Sequence, residues 1–338
     1  MNTSEFSYNF QKGLYTDRLK NIYLDENLTE HQTNRYIEAL NRFEELYGVR
    51  EVEIYSAPGR SEVCGNHTDH QRGMILAASI NLDAIAVVSD DEDGLVRVVS
   101  DGYEEICIDP ADLSVKEDRK GTTGALIRGV LAGAAQRGYR IGGFRAYVTS
   151  EVLVGAGLSS SAAFETLIGT IISHRYNDGG LDAVTNAVIG QYAENVYFGK
   201  PCGLMDQMAC SVGNLVFVDF DRPLDNAIEK LDFDLNSHGY SLCITDTKGS
   251  HADLTHEYAA VPREMKDIAA CFGRDVLRGL TFEDIMGRID ELREKCSDRA
   301  VLRALHFISE NDRVRNCVGS LKNDDIKGFL ENIRSSGD

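Results

Sequence analysis

Apolar positions along the chain fall into a few periodic runs separated by polar, glycine-marked stretches. Between 31 and 48, Tyr36, Leu40, Phe43 and Tyr47 recur at steps of three and four, which predicts an amphipathic helix. Residues 1–30 show no such period and read as a polar, weakly ordered extension. Short β-type runs follow at 52–55, 82–89 and 96–100, and the 90–94 stretch between the last two reads as a hairpin turn. A helix over 122–137 and a strand over 143–149 come next. A glycine-rich block then turns abruptly helical into Leu167, Ile168, Ile171 and Ile172. A further helix over 181–197 is closed by Gly199 and Pro201. Strands are expected at 214–220 and 240–245, and the chain beyond about 254 is mostly helical and charged. A boundary between two domains near 208–212 is weakly marked, giving 31–208 and 209–338 behind the extension.

Composition narrows the class. With 338 residues, 43% of them hydrophobic and 26% charged, the chain can bury a substantial core. A net charge of −19 argues against a nucleic-acid partner or an anionic membrane surface, since both need clustered Lys and Arg. The first fifteen residues lack a basic segment followed by an apolar run, and no apolar stretch approaches a membrane span, so a cytoplasmic protein is expected. Eight cysteines are scattered without a CxxC pair, which predicts free thiols rather than a disulfide framework.

Three clusters carry candidate chemistry. Gly155, Ala156, Gly157, Leu158, Ser159, Ser160 and Ser161 precede a helix whose first N–H groups and dipole suit a phosphate. The block is neither GxxxxGK[ST] nor GxGxxG, and a tight turn with a serine cap is its plainer reading. The second cluster runs from Pro58 through Arg60, Glu62, Gly65, Asn66, His67 and Asp69 to His70. It is either a solvated loop or a set of donors and acceptors for hydroxyl groups. The third is Glu194 on its helix followed by Cys202-Gly203-Leu204-Met205-Asp206-Gln207, with Asp206 read in a turn. Each member taken alone would pass for a surface charge or a local cap.

Together the clusters resemble the GHMP family of small-molecule kinases, which includes galactokinase, mevalonate kinase and homoserine kinase. The stretch from Pro58 to Gly73 looks like a sugar-binding signature, GAGLSSSAA at 155–163 is similar to the phosphate-binding motif, and CGLMDQ at 202–207 looks like the segment with the catalytic aspartate. Lys248 to His251 and His256-Glu257-Tyr258 resemble the region supplying a sugar-contacting tyrosine. The resemblance implies an α+β fold of two domains with the nucleotide between them. It also implies phosphorylation of the anomeric hydroxyl of a sugar such as galactose, with ATP and Mg2+. Asp206 would be the general base, and Arg60 would pair with it and stabilise charge on the transferring phosphoryl group. Gly155 to Ser161 would cradle the phosphates, Ser161 and Glu194 would hold the metal, and Asn66, His67, Asp69, Gly203 and Tyr258 would hold the sugar.

Two departures qualify that picture. The galactokinase pattern has Asn and Glu where this chain has Glu62 and Asn66, which leaves a related hexose or an N-acetylhexosamine open. No third glycine-rich motif follows Tyr258, which reads as a C-terminally shortened member with an incomplete second domain. A non-catalytic sugar- and ATP-binding sensor, or an inactive fragment, is the rival. The oligomeric state is open, with a monomer as the working expectation.

Overall fold

The structure, a computed structural model, describes residues 1–153, 155–245 and 255–337, without the side chains of 225, 226, 255, 256, 258 and 259. The chain divides into two compact units. One comprises Met1–Arg60 with Ser79–Ser211, and the other Ser61–Ala78 with Val212–Asp338. Against the expected division into 1–30, 31–208 and 209–338, residues 1–30 belong to the first unit, the later boundary follows Ser211, and the segment bearing Asn66, His67 and Asp69 belongs with the second unit.

The first unit opens with three helices, α1 (Thr3–Gln11), α2 (Thr16–Tyr23) and α3 (Thr29–Tyr47). The expectation of a weakly ordered extension fails here. Phe10, Leu19 and Tyr23 are buried with Tyr36, Leu40 and Phe43 from α3 and Ile85, Val87 and Tyr147 from the sheet. Burying side chains of this size stabilises by about 1.5–3 kcal/mol each, enough to order short helices that lack a strong stripe of their own. Polar groups finish the seam: the Tyr23 hydroxyl donates to Asp83 at 2.9 Å, and Arg35 donates to the same carboxylate at 2.5 Å.

Strands β1 (Glu53–Cys64) and β2 (Met74–Asp90) pair with each other, and each has residues in both units. In the first unit β3 (Val96–Ser100), β4 (Ile106–Ile108) and β5 (Phe144–Ser150) complete the order β4-β3-β5-β2. The 90–94 stretch turns the chain, yet β2 and β3 do not form a hairpin. β5 lies between them, antiparallel to β2 and parallel to β3. One face of this sheet packs on α4 (Thr123–Gln136), α5 (Ser160–Asn177) and α6 (Ala183–Tyr192) through Ile127, Leu131, Leu167, Ile171 and Ile189, all fully buried. The last helix of this group loosens into a π-helix at Ala193–Phe198, and α7 (Met205–Val212) follows.

In the second unit the first half of β2 pairs with β6 (Leu215–Asp219), which pairs with β7 (Ile228–Leu231) after the short α8 (Leu224–Ala227). Helices α9 (Thr255–Cys271), α10 (Phe282–Met286), α11 (Ile289–Lys295), α12 (Asp298–Lys322) and α13 (Ile326–Gly337) complete it. The strand expected at 240–245 is absent: those residues carry no regular structure and are exposed. All eight cysteines are free.

Candidate active site

In the first unit the glycine–serine block is a loop of left-handed residues leading into α5. Gly155, Gly157 and Ser159 have φ of 78°, 73° and 57°. Ser159 occupies the N-cap of α5 but makes no capping bond. A non-glycine residue in this region is strained, and such strain gathers at functional sites. The serine-cap reading is therefore set aside, because the Ser159 hydroxyl donates instead, over a short contact, to Asp206 Oδ2. Asp206 stands in the first turn of α7 rather than in a turn, where the helix dipole favours a carboxylate.

Arg60 meets Asp206 from the other side. Its Nε and Nη2 donate to Oδ1 at 2.9 and 2.6 Å, while Nη1 donates to the Gly157 carbonyl. The Arg60 backbone N–H donates to Leu158 O at 3.1 Å, so the arginine holds the loop as well as the carboxylate. Arg60 is buried, whereas the Asp206 side chain keeps 28% of its surface exposed. Oδ2 retains a lone pair beyond the one Ser159 uses, and that is the acceptor a substrate hydroxyl needs.

The other pair lies close by in the same unit. Ser161 Oγ donates to Glu194 Oε1 at 3.2 Å, and Glu194, on the π-helix, is only 3% exposed. Lys200 Nζ reaches the same oxygen at 3.3 Å. Burial opposes the Lys200 charge, but the Glu194 carboxylate outweighs it and raises the ammonium pKa. Glu194 Oε2 accepts from Gln207 Nε2 at 2.8 Å. Burial first, and then the charge of Glu194, hold the Glu165 carboxyl well above the ordinary glutamate range. Among the described residues no group of three or more His, Cys, Asp or Glu could hold a metal by itself. A serine hydroxyl and one carboxylate, both oxygen donors, fit Mg2+, which takes few protein ligands and keeps water and substrate phosphates.

Beside Ser160 and Ser161 a cleft of about 1080 Å³ opens, lined also by Tyr103, Thr122, Arg128 and Phe198. Arg128 Nε has no hydrogen-bond partner among the described residues. Sequence reasoning missed these residues because they come from separate segments with no local motif.

The signature loop is built in the second unit. Gly65 has φ of 129°, and a Cβ there would stand 2.9 Å from Met74 O, so only glycine fits. Asn66 and His67 follow at φ of 50° and 56°. Glu62 accepts from the His67 N–H at 3.0 and 3.2 Å. Asn66 Nδ2 donates to Ser336 Oγ at 3.1 Å, and Asp69 Oδ1 accepts from the His70 N–H at 3.0 Å. Fully buried Glu310 on α12 accepts from Gly65 N at 3.1 Å and from Ser336 Oγ at 2.8 Å, and Asn311 accepts from Met74 N at 2.7 Å. Gly203 lies in the irregular segment before α7, where Asn195 Oδ1 accepts from Cys202 N at 2.7 Å. The backbone of Tyr258 is in α9; its side chain, like the Lys248 to His251 stretch, lies outside the described residues.

Residues 41–90 match the galactokinase galactose-binding signature, and residues 125–214 match the GHMP kinase N-terminal domain. A galactokinase of Streptomyces coelicolor is 33% identical over 296 residues, covering 85% of this chain and 74% of its own length. The chain belongs to the galactokinase family. A human galactokinase is 29% identical over 301 residues, covering 86% of this chain and 74% of the relative. In fold, the chain is similar to the crystal structure of Lactococcus lactis galactokinase complexed with galactose, with a TM-score of 0.73 at 23% identity, over 88% of this chain and 76% of that one. No helix among the described residues is long and apolar enough to cross a membrane.

Proposed function

We propose that the chain transfers the γ-phosphoryl group of ATP to the anomeric hydroxyl of galactose, giving galactose 1-phosphate and ADP. Membership of the galactokinase family supports the reaction class. The observation that carries the reading is the Arg60–Asp206–Ser159 constellation, a carboxylate held from two sides with one lone pair to spare.

In this reading Asp206 Oδ2 accepts the proton of the anomeric hydroxyl as its oxygen bonds to the γ-phosphorus. The β–γ bridging oxygen leaves with the bonding pair, as ADP. Arg60 offsets negative charge beside the base and, through Gly157 and Leu158, fixes the loop that would carry the phosphates. Gly155, Ala156, Gly157, Leu158, Ser159, Ser160 and Ser161 form that cradle, and the adjoining cleft receives the rest of the nucleotide. Ser161 and Glu194 would hold Mg2+, which when bound neutralises phosphate charge and aligns the β- and γ-groups. Asn66, His67, Asp69, Gly203 and Tyr258 hold the sugar, and the enzyme works in the cytoplasm.

Coupled ADP release over galactose, glucose and N-acetylgalactosamine tests this. Galactose-dependent turnover with phosphate on the anomeric oxygen, read by phosphorus NMR, is the expected result. Binding of galactose and ATP without turnover would favour a sensor. Turnover with N-acetylgalactosamine alone would move the substrate to the acetamido sugar that Asn66 leaves open.

A further inference from the structure

Behind the Ser161–Glu194 pair lies a second carboxylate that the proposed chemistry does not use. Glu165 is four residues beyond Ser161 on α5, on the same face of the helix, and it is completely buried. Its Oε2 accepts from Gln207 Nε2 at 3.1 Å, and the same nitrogen donates to Glu194 Oε2 at 2.8 Å. Both N–H bonds of one amide are thus committed to two carboxylates. Gln207 is itself fully buried and is the residue after Asp206 on α7. α6 leaves room for the junction: a Cβ at Gly190 would stand 3.0 Å from Gln207 Cγ and 3.2 Å from Glu165 Oε2.

Three helical segments therefore meet at one amide group. α5 brings Ser161 and Glu165, the π-helix brings Glu194, and α7 brings Gln207 beside Asp206. With Oε2 of Glu194 held by Gln207, its Oε1 is left facing Ser161 Oγ and Lys200 Nζ. Remove the amide, and Glu194 Oε2 and Glu165 Oε2 lose the nitrogen that joins them, with the Cys202 thiol, 3.7 Å from that nitrogen, as the neighbour left at the junction. A carboxylate in that state rotates or draws in water, and its aim is lost.

We propose that Gln207, backed by Glu165, is a positioning residue that aims the Glu194 carboxylate at Ser161 and ties it to the helix carrying Asp206. The proposal rests on the reading of Ser161 and Glu194 as the metal pair. Glu165 serves as the anchor for the amide, so an uncharged acceptor of the same shape fulfils its role. Gln207 touches neither sugar nor nucleotide in this scheme; it acts through Glu194.

The test reads metal binding directly. Mn2+ stands in for Mg2+, and its affinity for the full chain with a non-hydrolysable ATP analogue is measured by electron paramagnetic resonance. Galactose affinity is measured by calorimetry, and melting temperature and the kcat and KM values are taken alongside. Gln207→Asn keeps the amide but is one methylene too short to reach both carboxylates; Gln207→Leu keeps the bulk and removes the amide. Both are expected to weaken Mn2+ binding about 10–100-fold and to raise the metal requirement for turnover equally, with galactose affinity unchanged. Glu165→Gln should behave as the parent, and Glu165→Leu should follow the Gln207 variants. A folded Gln207→Asn protein with parental Mn2+ affinity overturns the proposal, whatever becomes of Gln207→Leu. Glu194→Gln separates the two claims. If it weakens Mn2+ binding while Gln207→Asn does not, the positioning role alone falls; if neither matters, the metal reading falls with it.

Discussion

Asp206 and His67 are held in different ways. Asp206 is fixed through its side chain, which takes three hydrogen bonds, from Arg60 on β1 and from Ser159 at the N-cap of α5, in the first unit. His67 is fixed through its backbone: its N–H is tied to Glu62, its φ lies in the left-handed region, and 60% of its side chain is exposed. The first arrangement sets the direction of a lone pair, which general-base chemistry requires before a proton can move. The second sets the path of a loop and leaves its side chains room to adapt to a ligand. In the proposed function, chemistry falls to the preassembled cluster and recognition to the shaped loop, and substitutions in each should therefore fail differently.

The sharpest break is expected at the carboxylate. Asp206→Asn keeps the shape but presents no anionic acceptor, so kcat should fall by about 10²–10⁴ while galactose affinity stays within a few fold. Steady-state kinetics with calorimetric titration of galactose decide it. Activity within about tenfold of the parent would remove Asp206 from the role of base.

The complementary break lies under the loop. Glu310→Ala strips the acceptor from Gly65 N and Ser336 Oγ and leaves Arg313, which donates to Glu310 Oε1 at 2.5 Å, without that partner. Orphaning these groups should cost about 2–4 kcal/mol of stability, read from denaturant melts. The KM for galactose should rise more than the KM for ATP, with kcat least affected. An equal rise in both would show that the loop is not specific to the sugar.

Legibility in the sequence follows the same division. Asp206, Arg60 and the serine block stand out because motif order marks them, and the helix around Leu40 stands out because its period is strong. The ordering of 1–30 is hidden, since Phe10, Leu19 and Tyr23 gain their burial from the sheet and α3 rather than from each other. The 90–94 turn is real in its local chemistry, but no local signal reveals that β5 enters between the strands it joins. Glu165 carries a faint signal, an acidic residue among Ala162, Ala163, Leu167 and Ile168. Its partner Gln207 comes from another helix, so the pairing exists only in three dimensions.

A milder effect should separate stability from chemistry inside the first cluster. The Lys200 side chain is 64% exposed although its Nζ lies 3.3 Å from Glu194 Oε1. An ion pair so open to solvent contributes little, so Lys200→Met should shift stability by less than about 1 kcal/mol. Its ammonium shares Glu194 Oε1 with the hydroxyl of Ser161, the last residue of the proposed phosphate cradle, in a chain of net charge −19. Loss of that charge should lower kcat/KM for ATP about tenfold, equivalent to about 1.4 kcal/mol of transition-state stabilisation. An unchanged kcat/KM would confine Lys200 to a surface pair.

The smallest effect is expected at Asn66, where the chain departs from the galactokinase pattern. Asn tolerates φ of 50° better than most residues, and its amide donates to Ser336 Oγ at 3.1 Å and to Ser336 O at 3.3 Å. Asn66→Glu introduces a side chain with no such tolerance and no donor, for a loss of about 1 kcal/mol in stability. Its carboxylate adds an acceptor on the loop beside His67, so KM for galactose should change by only a few fold, and kcat should hold because Asp206 and Arg60 are untouched. The double variant Glu62→Asn with Asn66→Glu exchanges both departures at once. It also removes the carboxylate that accepts from the His67 N–H, so it should be less stable than Asn66→Glu alone. Steady-state kinetics over galactose, glucose and N-acetylgalactosamine, with melting curves for each protein, measure these effects. A fall in kcat beyond about tenfold for Asn66→Glu would mean that the loop helps set the chemistry as well as the recognition, and the division between the two clusters would have to be given up.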